Sequence, residues 1–215
     1  MDRGDIGPPS TLFKRCLIMH TTPPIVDAAT LKTWSRDEYY RLADCGWFQN
    51  ERTELIGGRI YVVSPQQFAH SIAVYQTTKA LERVFSDGFW VRSQLPLHLD
   101  EMSEPEPDVS VAAGDPMSFN DHPTTALLIV EVSNSSLAID RTEKTGLYAS
   151  AGIEDYWIVN LVDGVLEVHR DPVADEQQPF GHTYRSVQTL QPTDTIAPLA
   201  APDSEILVGD LLPKK

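Results

Sequence analysis

The chain has 215 residues, 41% of them hydrophobic, which is enough apolar material for one sizeable core and too little chain for two ordinary ones. No apolar run approaches the roughly 18 residues that cross a bilayer, and Leu12 to Met19 is broken by Lys14 and Arg15, so a soluble protein without signal peptide or membrane span is expected. The formal net charge of −14 argues against tight non-specific binding to nucleic acid, which draws on many Lys and Arg at phosphates; a local groove of different charge is still compatible with an acidic whole.

Residues 1–30 hold scattered Gly and Pro with no sustained period and read as a mobile arm, within which Met19 is an alternative start. Cys16 and Cys45 show no paired spacing for a zinc site or a disulfide framework, which fits a reducing cytoplasm. Ordered structure is expected from Ser35-Arg36-Asp37-Glu38, a capping box opening a helix through Ala43 that Gly46 ends. Two apolar-rich runs, 52–56 and 59–63, flank Gly57-Gly58 as a hairpin, and Ser64-Pro65 breaks the second strand. Apolar residues from Phe68 to Val84 recur near helical spacing, and Asp87-Gly88 closes that helix. Four further runs read as strands, at 89–99, 108–112, 126–133 and 155–160, with a helix at 138–151 between the last two. That strand, helix, strand order is a crossover unit and predicts a parallel pair inside a mixed sheet flanked by helices, an α/β (α+β) fold. Strands at 164–170 and 183–190 follow. The domain is expected over 31–190, with 191–215 as a C-terminal extension.

Glu131 lies inside Leu127-Leu128-Ile129-Val130-Glu131-Val132, a run apolar enough for a central strand buried on both faces. An ionised carboxylate there costs several kcal/mol unless a cation or hydrogen bonds compensate it. Alone it also admits a blander reading, a strand-end glutamate facing solvent or paired with an arginine. Asp108 follows Pro107, which stops sheet pairing, and precedes the strand Val109-Ser110-Val111; an ordinary turn aspartate is its alternative. Together the two offer the hard oxygen donors that magnesium favours. Lys144 shares a helical face with Asp140 and Tyr148. It is either half of an exposed Asp140-Lys144 pair or, since Leu147 and Tyr148 mark that side as sheet-facing, a lysine carried toward Glu131. Ser133-Asn134-Ser135-Ser136 lacks a neighbouring histidine and a nucleophile elbow, so it reads as a loop capping the next helix. Gly57-Gly58 has no phosphate-loop context, and the histidines show no zinc spacing.

Pro107-Asp108, the run from Leu128 to Ser136 with Glu131, then Asp140, Lys144, Tyr148, Gly152 and Asp155-Tyr156-Trp157-Ile158-Val159 resemble the signature of a bacterial family of restriction-endonuclease-like proteins often called Uma-two. Glu54-Leu55-Ile56, Ser64-Pro65 and His70 match its N-terminal half, and the similarity spans about Trp34 to Arg170. The resemblance implies a restriction-endonuclease-like PD-(D/E)XK core in which Asp108 and Glu131 hold the metal. It implies that the usual lysine two residues after the glutamate, here Ser133, is supplied instead by Lys144. Glu54 would be an auxiliary acidic ligand, and His70 would approach the same site or serve as a hydrogen-bonding surface residue. Gly57 and Arg59 stand where the family commonly has acids, which bears on any second metal site.

The expected activity is hydrolysis of DNA phosphodiester bonds by an endonuclease, with magnesium, or manganese in its place, bound by Asp108, Glu131 and the Val132 carbonyl, and with Lys144 assisting the attacking water. The alternatives are a binding or regulatory protein that keeps the nuclease fold without turnover, and a hydrolase of another phosphate ester. A cytoplasmic homodimer is expected from the implied fold, where two sites must reach two strands.

Overall fold

The computed structural model describes residues 30–214. Nearly all of the expected arm, with Cys16 and the alternative start at Met19, lies outside the described residues. Ser35 caps the first helix as its sequence predicts: its hydroxyl accepts the Glu38 N–H at 3.3 Å, and Glu38 Oε2 accepts the Ser35 N–H at 3.1 Å. Helix α1 (Arg36–Asp44) begins there. Strands β1 (Arg52–Ile56) and β2 (Arg59–Val63) pair antiparallel about Gly57 and Gly58. Both glycines sit at positive φ, 56° and 71°, the backbone that a tight two-residue hairpin turn demands.

This hairpin stands apart as its own two-stranded sheet. It is hooked to the body by Gly58 N–H donating to Met102 O and Glu104 N–H donating to Leu55 O, each at 2.7 Å. Helix α2 (Phe68–Val84) follows, then β3 (Phe89–Ser93), β4 (Val109–Ala113) and β5 (Leu128–Ser133). The expected strand over 89–99 therefore ends early. Gln94 takes a positive φ of 53° and Pro96 has no N–H to offer a ladder, so the chain leaves the sheet and buries Leu97 beneath the following loop.

The expected helix at 138–151 is a single helical run with an uneven interior. It comprises α3 (Leu137–Ile139), a π-helical turn Asp140–Lys144 and α4 (Thr145–Ser150). After it come β6 (Asp155–Asn160), β7 (Val165–Ala174), β8 (His182–Leu190) and a small pair, β9 (Thr195–Ile196) with β10 (Ile206–Leu207). The main sheet has six strands in the order β3-β4-β5-β6-β7-β8. Only β5 and β6 run parallel, joined by the helical crossover; the other neighbours are antiparallel. The mixed sheet flanked by helices is thus the one the sequence implied.

Every residue of β5 and β6 is buried. One sheet face packs Val130, Val132, Trp157 and Val159 against α2. The other packs Ile129, Tyr156 and Ile158 against Leu147 and Tyr148 of α4. Within 191–214, the stretch set apart as an extension, Ile196, Ile206, Val208, Leu211 and Leu212 enter the α2-side core. The fully buried Asp155 carboxylate helps to hold that stretch. It accepts from Arg170 Nε at 2.7 Å, from Trp157 Nε1 at 2.7 Å and from Leu199 N–H at 2.8 Å, while Arg170 Nη2 also donates to Ala197 O at 2.7 Å.

Leu211 is fully buried, so Leu211→Ala should cost about 2–5 kcal/mol, the range for core leucine truncation. Urea unfolding checks this, and a loss under about 1 kcal/mol would show that the segment peels away from the core freely.

Candidate functional site

Register brings the first two carboxylates together. Val109 of β4 pairs with Val130 of β5, and continuing the antiparallel ladder by one residue sets Asp108 across from Glu131, on the same face of the sheet. Pro107 lacks an N–H, so pairing stops there and the Asp108 side chain is free to curl over the strand end. Its Oδ2 accepts the Val132 N–H at 2.9 Å and lies 3.1 Å from His70 Nε2, and its Oδ1 accepts from Gln94 Nε2 at 3.2 Å. Burial works to raise this carboxyl, but His70, the Val132 N–H and the charge of Lys144 outweigh it and hold Asp108 below the usual carboxylate range.

Glu131 is only 3% exposed. Its Oε1 accepts from Lys144 Nζ at 3.0 Å and from the Tyr148 hydroxyl at 2.7 Å. Burial drives its carboxyl well above the ordinary range, with Lys144 pulling the other way and the neighbouring carboxylates adding to the rise. Lys144, 7% exposed, also lies 3.1 Å from Glu54 Oε2 and 3.9 Å from Asp140 Oδ1. Desolvation alone would lower its pKa; Glu131, Glu54, Asp140 and Asp108 together push it well above normal, so the ammonium is charged at neutral pH.

Glu54 reaches the group from β1 of the separate hairpin, buried and 3.1 Å from Lys144 Nζ. Burial raises the Glu54 carboxyl, against the pull of Lys144. The walls enclose a cleft of about 430 Å³ on which Glu54, His70, Asp108, Glu131, Asp140 and Lys144 all open. At its rim, Asn134 Nδ2 donates to Gln67 Oε1 at 3.3 Å, bridging the loop after β5 to the start of α2. Arg52 stands at the mouth, paired with Glu106 at 3.1 Å.

All the side chains singled out from sequence therefore meet in one cleft. Val132 is different, for its side chain is in the α2-side core and only its backbone faces the site. Its carbonyl projects along the same edge of β5 as the N–H that binds Asp108, because both groups of a strand residue point the same way. Three contributors escaped the sequence reading as site residues: Gln94, Asp140 and Tyr148. Gln94 sits in a stretch read as strand interior. Tyr148 marks the sheet-facing side of its helix in the sequence but gives no sign there of partnering Glu131, and Asp140, at i−4 from Lys144, has no separate signal for burial.

Among the described residues, no group of three His, Cys, Asp or Glu is placed to hold a metal ion unaided. The donor set nonetheless fits a hard divalent cation. Magnesium commonly takes one or two carboxylates and fills its octahedron with water and phosphate, and Asp108 with Glu131 supplies that pair. The carboxyl groups of Glu54, Asp108, Glu131 and Asp140 surround Lys144 and His70, so oxygen donors outnumber the basic groups in this buried space.

Residues 36–209 match the family model Uma2, whose description is "Putative restriction endonuclease". No curated protein matches the sequence. Among solved structures, a crystal structure described as "a putative nuclease belonging to DUF820", from Anabaena variabilis ATCC 29413, aligns with a TM-score of 0.61 and 14% identity, over 82% of this chain and 96% of that one. At that identity the likeness is one of fold.

Removing the central cation should leave Glu131 and Glu54 buried and unpaired. Lys144→Ala is expected to destabilise the protein by about 3–5 kcal/mol at neutral pH, and adding Glu131→Gln should recover part of that loss. Denaturant midpoints of the two variants check this; equal midpoints would show that the pair is not coupled.

Proposed function

The chain belongs to the Uma2 family, described as "Putative restriction endonuclease", and from that premise we propose that it is a metal-dependent endonuclease hydrolysing DNA phosphodiester bonds. The observation that carries the reading is the placing of Asp108 and Glu131 across adjacent strands, with the Lys144 ammonium 3.0 Å from Glu131 in an open-mouthed cleft. Proteins of this fold generally use divalent metal ions. Magnesium, or manganese in its place, would be held by Asp108, Glu131 and the Val132 carbonyl with Glu54 as auxiliary acid, and when bound it supplies charge neutralisation and polarisation of a phosphate oxygen.

The protein's own groups do the remaining work. Asp108 is kept ionised by the Val132 N–H and by His70 at 3.1 Å, so it needs no proton removed before it can bind a cation. Lys144 keeps its protons and presents them inside the cleft, where an N–H can orient the attacking water or stabilise charge developing on the phosphate oxygens. Tyr148, whose hydroxyl burial holds in its protonated form, donates to Glu131 Oε1 at 2.7 Å. His70 acts through Asp108 as an orienting partner, with its Nδ1 buried and unbonded. A homodimer acting in the cytoplasm on both DNA strands completes the proposal.

A second reading, a nuclease fold that binds without turnover, draws on the net charge of −14, which disfavours duplex phosphates. Incubation of the purified protein with plasmid, linear and single-stranded DNA and magnesium or manganese separates the two. Outer-shell changes around metals typically cost 10–100-fold, so Asp108→Ala and Glu131→Ala should lose more than about 100-fold in cleavage, and His70→Ala about 10–100-fold. If wild type cleaves none of these substrates and matches Asp108→Ala, the nuclease reading fails; calorimetry that then shows Asp108-dependent magnesium binding supports the second.

A further inference from the structure

Lys144 offers three N–H donors and has three carboxylates around it, but they are not equivalent. Glu131 Oε1 accepts a hydrogen bond from the ammonium at 3.0 Å, Glu54 Oε2 is in ion-pair contact at 3.1 Å without a hydrogen bond, and Asp140 Oδ1 stands back at 3.9 Å. The first two are also acids assigned to a cation in the functional reading above. Each would have to serve the ammonium and the metal at once.

Asp140 is under no such demand. It is 1% exposed, and its Oδ2 is clamped by the hydroxyls of Ser133 at 2.6 Å and Ser136 at 2.7 Å. Its backbone carbonyl accepts from Thr145 Oγ1 at 2.9 Å and from the Tyr156 hydroxyl at 3.0 Å. The residue is thus held at its backbone carbonyl and at Oδ2, while its buried Oδ1 makes no hydrogen bond. A buried acceptor left unsatisfied is ordinarily destabilising. Here it faces Lys144, the only lysine among the described residues that line the cleft.

We propose that Asp140 is a positioning residue that receives the Lys144 ammonium when Glu131 turns to a divalent cation; this rests on the metal-dependent reading above. Shortening 3.9 Å to a charge-assisted hydrogen bond takes a movement of about 1 Å, well within the flexible four-carbon stem of a lysine. The π-helical turn that carries both residues sets their spacing, and the serine clamp stops Asp140 from following the lysine or competing for the metal. Lys144 then stays charged and in place while Glu131 is released to bind.

A double-mutant cycle on magnesium affinity, read by calorimetry, tests this. Asp140→Asn keeps the shape and removes the charge, so it should weaken magnesium binding about tenfold while the melting temperature stays within a few degrees of wild type. In a Lys144→Met background, which has no ammonium to receive, the same substitution should have almost no effect on affinity. An Asp140→Asn effect equal in both backgrounds would mark a through-space charge and overturn the proposal, as would no effect in either. Should the Lys144→Met proteins fail to fold, Ser136→Ala replaces them: it leaves every charge in place and loosens the clamp, and is expected to weaken magnesium binding several-fold, whereas unchanged affinity overturns the proposal. Wild type and Asp108→Ala are measured alongside. If wild type shows no Asp108-dependent magnesium binding, the functional reading itself falls and this inference with it; if that binding is present and the cycle is additive, this inference alone falls.

Discussion

A single buried ammonium organises the site. Lys144 gives up its hydration on entering the cleft, a loss of several kcal/mol for an ion, and the compensation comes from carboxylates on elements far apart in the chain: Glu54 on the hairpin, Glu131 on the central strand, Asp140 on its own π-helical turn. Each of those contacts offsets part of the cost of burying the acid and the lysine together. The contact ties the hairpin, the crossover helix and the sheet together at one polar point, in addition to the backbone bonds of the hairpin and the apolar layer shared by Ile56, Ile129 and Leu147.

The parallel β5–β6 pair makes this geometry reachable. A crossover must lie on one face of the sheet, and here it lies on the face that Glu131, Ile129 and Tyr156 share. Tyr148 and Leu147 anchor the helix in that apolar layer, and Lys144, one turn earlier, is carried over the strand end where Glu131 waits. The wide turn from Asp140 to Lys144 is the local adjustment; π-turns of this kind recur at functional sites because the extra residue re-aims a side chain. Its freed carbonyl is taken by Thr145 Oγ1 and the Tyr156 hydroxyl.

Much of this was legible in the amino acids. Ser35 and Glu38 announced their capping box, Gly57-Gly58 their hairpin, and the order of apolar runs the crossover and its parallel pair, because each is a local rule of backbone or periodicity. The placing of Asp108 against Glu131 followed from Pro107 and a strand too apolar to tolerate a free acid. What stayed hidden depends on tertiary context. Periodicity could not mark the end of β3 at Ser93, because the residues beyond are as apolar as the strand and leave it through a positive φ at Gln94. Asp140 has the spacing of an ordinary surface partner for Lys144, and only the helix's docking buries it behind Ser133 and Ser136; the turn of Lys144 toward Glu131 was itself legible from Leu147 and Tyr148. The residues after 190 lack any period, yet Ile206, Val208 and Leu211 fill the core as individual plugs on an irregular segment.

Asp155 carries a kinetic implication. Its carboxylate lies at the start of β6, in the middle of the sheet, but one of its donors is the N–H of Leu199, and Arg170, which grips it, is itself steadied by Ala197 O. A partly folded state with the sheet assembled and residues 196–199 still loose would enclose a charge with its shell incomplete, at a penalty comparable to losing a buried hydrogen bond. Closure of the central strands and docking of the late segment are thereby coupled into one cooperative event. Contacts so distant in sequence also slow the search for that event, and the fold gains all-or-none assembly in exchange.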